Sequence, residues 1–433
     1  MLDDAGDPDS GTTEGTDDGG PTSSSPPNPT LDPPTPDTGA GPADGADADE
    51  VTGDPPIPPV DCWQVQELFE APQTAGILIS DQDGNGADEL WLSFTEDSAG
   101  PGPGQTTLFR VDDDGTPGVE QPLPGFLLSL GDIEGDGLQD LVLVDFSMGF
   151  PPVFGWAVST DPGMFSFPAT PMDLELQQGL SGFFDATADG PADVFAYDDQ
   201  TGVVELRVGT GDGVFAVATG IVVGTYDNGF ATRISGAPDH VLFASAQGFG
   251  GGPGRPSPGC IGTAYHLLQT TGGELVDLAM GGAVGPTGLG PLLGARRYDD
   301  ETVVAFTGQC DGTNAFTQLR RLWWTPDQMT LQSDTVLQQM QWASPGDFDG
   351  DGLLDIVFAE PESEQMLWSR GIDPLTFDAP SVIPLELPEI RDNNVRPIDR
   401  DGDGRDELLR GWVLVDAEPA QLYYDRLWYG PCE

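Results

Sequence analysis

From Asp61 onward, apolar residues come in short runs separated by clusters of glycine, proline and aspartate. Runs of this length, rich in β-branched and aromatic residues and bounded by turn formers, predict β-strands rather than helices. Five of them follow the same kind of polar loop: Leu90-Trp-Leu-Ser-Phe94, Leu141-Val-Leu-Val144, Val194-Phe-Ala-Tyr197, Ile356-Val-Phe358 and Leu408-Leu409. Residues 1–60 carry no such pattern. They are mostly Asp, Gly, Pro, Ser and Thr, a composition that cannot bury enough apolar surface to offset its ordering entropy, and it predicts a disordered acidic stalk.

The loops recur at a nearly constant interval. They start at Asp81, Asp132, Asp185, Asp347 and Asp399, so the steps are 51, 53, 162 and 52 residues. The long step leaves room for two further repeats. Val241-Leu-Phe-Ala244, after Ser235, and Val303-Val-Ala-Phe306, after Ala295, supply their strands without the loop. Seven units of about fifty residues, each with four short strands, predict an all-β, seven-bladed β-propeller over 61–433 with four-stranded antiparallel blades.

The ends of the chain bear on closure. The seventh unit supplies three strands, ending in Gln421–Tyr429, while the orphan strand Trp63–Phe69 opens the ordered region. Placing that N-terminal strand in the last blade closes the ring. Cys62 and Cys432 then flank a missing hairpin, and a disulfide between them would replace it. Cys260 and Cys310 lie between the second and third strands of blades four and five, on one face of the ring, and form the second expected pair.

Within the loop, acidic or amide side chains at positions 1, 3, 5 and 9 surround glycines at 4 and 6, an oxygen cage suited to a hard cation. The expected ligands are Asp81, Asp83, Asn85 and Glu89 in loop one, and Asp132, Glu134, Asp136 and Asp140 in loop two. Loop six offers Asp347, Asp349, Asp351 and Asp355, and loop seven Asp399, Asp401, Asp403 and Glu407. Asp88 and Asp406, at position 8, are alternative closing ligands. Loop three keeps Asp185, Asp189 and Asp193 but has Thr187 at position 3, so it is expected weak or empty. The calcium hand of the helix–loop–helix type fits worse: its position-12 glutamate is replaced by Leu92, Phe358 and Arg410.

These loops and strands resemble FG-GAP/VCBS repeats, the blades of integrin α-subunit propellers and of many bacterial surface proteins. Gly346-Asp-Phe-Asp-Gly-Asp-Gly-Leu-Leu-Asp-Ile-Val357 carries the likeness most fully. The resemblance implies Ca2+ in the loop between the first and second strands of a blade, with ligand recognition mostly on the opposite face. Units four and five depart from the pattern, and no counterpart of the integrin metal-dependent adhesion domain is present.

The chain has 73 acidic and 15 basic residues, a formal net charge of -58, and all its basic side chains are arginine. That balance argues against nucleic acid and anionic membranes as partners. No apolar stretch is long enough for a membrane span. The N-terminus lacks the basic and apolar regions of an export signal, yet the composition and the repeats suit an extracellular or surface location. His240 and His266 have no partner motif, and no hydrolase, zinc or phosphate-loop signature occurs. The expected function is a monomeric calcium-binding module for binding or adhesion to a protein or glycan, not an enzyme. The alternatives are a glycosidase- or lyase-type propeller using carboxylates of the central channel, and a purely structural surface repeat.

Overall fold

The computed structural model describes residues 61–431 apart from 73–75, 83, 96–105, 112–115, 117, 119, 146–152, 162–163, 168, 175–179, 199, 225–227, 248–260, 282–288, 300, 311–315, 339, 341, 360–364, 385–393 and 414–420. The expected stalk therefore lies outside the described residues, as do Asp83, Cys260 and Cys432. The compact unit spans Pro58–Glu433.

Every regular element among the described residues is a strand. Seven four-stranded sheets form, all with antiparallel neighbours, and two further hairpins of two short strands each are appended to blades two and six. The expected seven-bladed propeller is the fold observed. Blades one to six are contiguous in sequence. Blade one, for example, runs Gly76–Ser80, Glu89–Thr95, Thr106–Val111 and Gln121–Leu123 from the inside outward. Blades four and five, which lack the acidic loop, are complete: their second strands are Ala237–Gln247 and Val303–Cys310.

The second strand of each blade explains the unbroken apolar runs. It is flanked by strands on both edges, and both faces of its sheet are covered by neighbouring blades. Its side chains alternate between those neighbours. In blade one, Leu90 and Leu92 pack against Leu409 and Tyr424 of blade seven, whereas Trp91 packs against blade two beside Leu141 and Leu143. In blade two, Val142 and Val144 turn the other way, toward Phe183 and Val194 of blade three. The alternation continues round the ring, so the described core divides into seven clusters, one per blade interface.

Closure follows the predicted route. Asp61–Pro72 pairs antiparallel with Gln421–Pro431 from Asp61↔Pro431 to Pro72↔Gln421, with a bulge between Glu67 and Phe69. Blade seven thus has the order N-terminal strand, Gln421–Pro431, Glu407–Val413, Asn394–Ile398. Trp63 secures the outer end by packing against Phe348, Trp368 and Tyr429, with ring centroids 5.9, 5.4 and 5.8 Å away. Further in, Arg410 and Asp425 form a buried bidentate ion pair, Nε to Oδ1 being 2.8 Å. Cys62 sits opposite Gly430, two residues before Cys432.

Leu427 is fully buried between the N-terminal strand and blade six. Leu427→Ala should lower the unfolding free energy by about 2–5 kcal/mol through lost burial and the cavity left behind. Urea unfolding followed by tryptophan fluorescence would measure it. A loss below about 0.5 kcal/mol, the range of exposed positions, would contradict the closure described.

Candidate metal loops

The loops lie where the first strand of a blade turns into the second. The turn is made by positive-φ residues at positions 4 and 6: Gly350 at 74° and Gly352 at 87° in loop six, Gly402 at 70° and Gly404 at 84° in loop seven. Loop three keeps the same backbone although Ala188 stands at position 4, with φ at 58°. The position-4 glycine is needed for a second reason. A Cβ on Gly350 would meet Arg405 Cγ at 2.6 Å, and one on Gly402 would meet the Ala87 backbone nitrogen at 3.2 Å. Successive loops therefore overlap, position 7 of one lying over position 4 of the previous one.

The position-1 aspartate shapes the loop by accepting backbone N–H groups. Asp399 accepts from Gly402 and Gly404 at 2.9 and 3.0 Å, and Asp132 accepts from Gly135, Asp136 and Gly137 at 2.7, 3.0 and 2.8 Å. Position 5 accepts from position 7, as Asp351 does from Leu353 at 2.9 Å. Small acidic residues are thus required for the turn itself, before any ion is considered.

Two loops do more. Asp347, Asp349 and Asp351, and likewise Asp399, Asp401 and Asp403, each offer one oxygen to a group lying within 4.8 Å of one another. Only Asp347 of these six is buried, at 3% exposure. Its Oδ2 accepts from the Gly352 N–H and from Arg296 Nη1 of blade five, both at 3.0 Å, while its Oδ1 has no hydrogen-bond partner. Arg370 completes the neutralisation of loop six by pairing with Asp349 and, at 3.2 Å, with Asp351. In loop seven Arg426 pairs with Asp401 at 3.2 Å and with Glu407. The chain's own guanidinium groups thus lie against both aspartate triads. Burial, helped by the neighbouring Asp351, raises the Asp349 pKa above the ordinary carboxylate value, and burial does the same for Asp399. In loop two, burial and the adjacent Asp136 raise Glu134.

Position 9 has a task that sequence spacing did not reveal. Asp355 accepts from the Phe348 N–H at 3.2 Å and from the Gly371 N–H at 2.7 Å, tying the loop to the end of the third strand. Asp140 does the same with Ile133 and Ser159, at 2.9 and 2.8 Å, and Asp193 with Ala186 and Gly209, at 2.9 and 3.1 Å. Glu89 and Glu407 accept the position-2 N–H of their own loops at 2.6 and 2.9 Å. These carboxylates are buried, and none belongs to the two triads.

Position 8 joins neighbouring blades. The Asp406 N–H donates to the Asp347 carbonyl at 2.8 Å and the Asp406 carboxylate accepts the Asp347 N–H at 2.6 Å. Asp88 makes the same reciprocal pair with Asp399, at 2.5 and 2.9 Å, across the closing seam. Asp88 and Asp406, expected as alternative closing ligands, are instead half-buried interblade staples, because the loop overlap brings position 8 against position 1 of the previous loop. Where no aspartate is present the backbone half persists, as in Ala192 N–H to the Asp132 carbonyl at 2.6 Å. A polar side chain at position 8 was the only sequence signal for this contact.

The His240 and His266 Nδ1 atoms lie 2.9 Å from the Asp239 and Asp277 carboxylates. Trp324, Tyr423 and Tyr424 are buried in the sheet packing. The seven innermost strands contain no Asp or Glu and four arginines, Arg233, Arg296, Arg297 and Arg396.

Fold and loops together define a seven-bladed propeller built from acidic-loop repeats. Residues 347–409, which begin at position 1 of loop six and end in the second strand of blade seven, match the FG-GAP-like repeat family. That match and the seven-bladed fold support an FG-GAP repeat propeller. No curated protein matches the sequence. Among solved structures, the chain is similar to a catalytically inactive virginiamycin B lyase from Staphylococcus aureus at 12% identity, covering 84% of this chain and 99% of that one with a TM-score of 0.46. A periplasmic gluconolactonase from Pseudomonas aeruginosa gives 14%, 68%, 81% and 0.42 on the same measures. A lectin from Burkholderia pseudomallei gives 15%, 75%, 99% and 0.38. Likeness at this level carries no argument about activity.

Burial raises Asp140 and Asp355 to about 7 and Asp88 to about 6, against the pull of their backbone donors. Each binds its proton more tightly folded than unfolded. Their contribution is therefore fully present below the ordinary value of 3.8 and is lost as pH rises through about 6 to 7. For the metal-free chain, urea unfolding at a series of pH values should show stability falling across that window. Asp140→Asn, neutral throughout, should flatten part of the fall.

Proposed function

We propose that this propeller is a calcium-loaded binding module, displayed outside the cell or on its surface, that engages a protein or glycan. The observation that carries the calcium reading is the pair of aspartate triads, with the buried Asp347 Oδ1 left without a partner in one of them. An all-oxygen donor set of small carboxylates on a glycine turn suits a hard cation of calcium's size. An unpartnered buried carboxylate oxygen is costly unless a cation or hydrogen-bond donor meets it. Asp347, Asp349 and Asp351, and Asp399, Asp401 and Asp403, would hold the ions, and the position-9 carboxylates would back them while keeping their backbone donors. Bound calcium would supply the charge that Arg296, Arg370 and Arg426 supply in this structure. Its role is structural, since the loops are also the stitches between blades.

Thermal unfolding of metal-stripped protein with and without calcium tests the reading. Calcium at about 100 times its Kd adds roughly 2.7 kcal/mol per site and should raise the midpoint by several degrees. Tryptophan emission should shift with it, because Trp63 packs on Phe348 inside loop six. Asp349→Asn should remove much of the loop-six response and leave loop seven's. An unchanged midpoint together with unchanged emission would rule calcium out.

The same proposal pairs Cys62 with Cys432 and Cys260 with Cys310. Its support is the register that sets Cys62 opposite Gly430 and the lack of any free cysteine among the described residues. A Cys62–Cys432 bond closes a very long loop and would stabilise by roughly 4–5 kcal/mol in the chain-entropy model. Peptide mapping without reductant should recover both linked pairs, and recovery of four alkylated thiols would refute them.

A further inference from the structure

The seam between blades one and seven encloses a cavity of about 260 Å³ whose charged lining comes from both blades. Arg110, Asp88 and Glu89 belong to blade one, and Arg400, Arg426 and Asp401 to blade seven. The three carboxylates already have partners. Asp88 accepts the Asp399 N–H at 2.9 Å, and Glu89 accepts the Gln82 N–H at 2.6 Å and Arg110 Nη2 at 3.4 Å. Asp401 accepts Arg426 Nη2 at 3.2 Å.

The guanidinium groups have partners too, Arg400 Nη2 donating to the Val111 carbonyl at 3.3 Å and Arg426 pairing with Glu407 as well, but two of them keep an unused nitrogen. Arg110 Nε and Arg426 Nε are both buried and have no hydrogen-bond partner. Arg400, at 5% exposure, adds a third positive charge to the same wall. It occupies position 2 of its loop, where loops two and six have the buried apolar residues Ile133 and Phe348. Burying a guanidinium there is costly unless its charge and donors serve a purpose. Buried N–H donors in native proteins are almost always met by an acceptor. Two such donors and a third arginine around one polar cavity call for a group that accepts from several directions at once. Phosphate and carboxylate groups do this, and hydrogen bonds from arginine to such anions are among the stronger ones.

We propose that the cavity at the closing seam is a binding site for a small oxyanion, a phosphate or carboxylate group. The ligand bridges Arg110 of the first blade to Arg400 and Arg426 of the last, so it forms only on the closed ring and holds that ring shut. The site borders the loops of the calcium reading, sharing Asp401 and Arg426 with loop seven, and it is tested in the metal-stripped chain so that its failure and the failure of the calcium reading are told apart.

Isothermal titration of the full metal-stripped chain with inorganic phosphate, and separately with acetate, tests this, with chloride balancing the ionic strength. The expected result is saturable binding of one equivalent of at least one anion, with Kd at or below about 1 mM. Arg110→Gln and Arg426→Gln should each weaken it by about tenfold or more, the loss of one charge-assisted hydrogen bond. Arg233→Gln, on an innermost strand of blade four, should leave it unchanged. Saturation by phosphate alone identifies a tetrahedral ligand and by acetate alone a carboxylate. If neither anion saturates, or if binding persists in both seam variants, the cavity holds water only and the proposal fails. Near-ultraviolet circular dichroism checks each variant's fold. Should Arg426→Gln not fold, Arg110→Gln, at a partly exposed side chain, decides the result.

Discussion

Everything in this molecule depends on the second strand of each blade burying both of its faces. A strand of period two sends alternate side chains to opposite neighbours, so no blade can bury its own apolar surface alone. Leu90 and Leu92 need blade seven, and Trp91 needs blade two. An open array would leave one such surface uncovered at each end. Closing the ring removes both ends at once. The N-terminal strand completes this by giving Gln421–Pro431 a partner and placing Trp63 and Leu68 in the interfaces on either side of blade seven.

The acidic loops serve the same packing. Position 1 folds the turn, position 9 ties it to the third strand, and position 8 reaches the adjacent blade. One nine-residue segment therefore combines a candidate cation cage with the interblade stitching. That coupling makes the loops tolerant of variation in an informative order. Loop three has lost an acid at position 3 and a glycine at position 4, yet it retains Asp185, Asp193 and the stitch from Ala192. Blades four and five have no cage, and a backbone pair, Ser235 with Ala295 and Arg297, still joins them. The stitching survives where the carboxylates do not.

The fold was legible because its signals are periodic. The loop interval, the apolar runs after each loop and the orphan strand at Trp63 are local features repeated often enough to define a ring. The site was legible only in part. Aspartates at 1, 3 and 5 in loops six and seven do converge. The jobs of positions 8 and 9 were not visible, because both depend on what approaches from outside the loop. Asp406 looks like a spare ligand beside Glu407, but Asp347 of the previous blade accepts its N–H and donates to its carboxylate. The arginines facing the triads were equally hidden. Arg296 lies 51 residues before Asp347, and Arg426 lies 25 residues after Asp401.

By itself the sequence determined the number of blades, their strand order, the turn chemistry of the loops and the pairing of the two chain ends. All of these follow from composition and spacing within a repeat, where a residue's neighbours are its own turn and strand. Tertiary structure decided which carboxylates face a cage and which hold the backbone, where guanidinium groups stand, and that three of them share a cavity at the seam. Those outcomes arise between blades, where the distance separating two side chains in space has no relation to their separation along the chain.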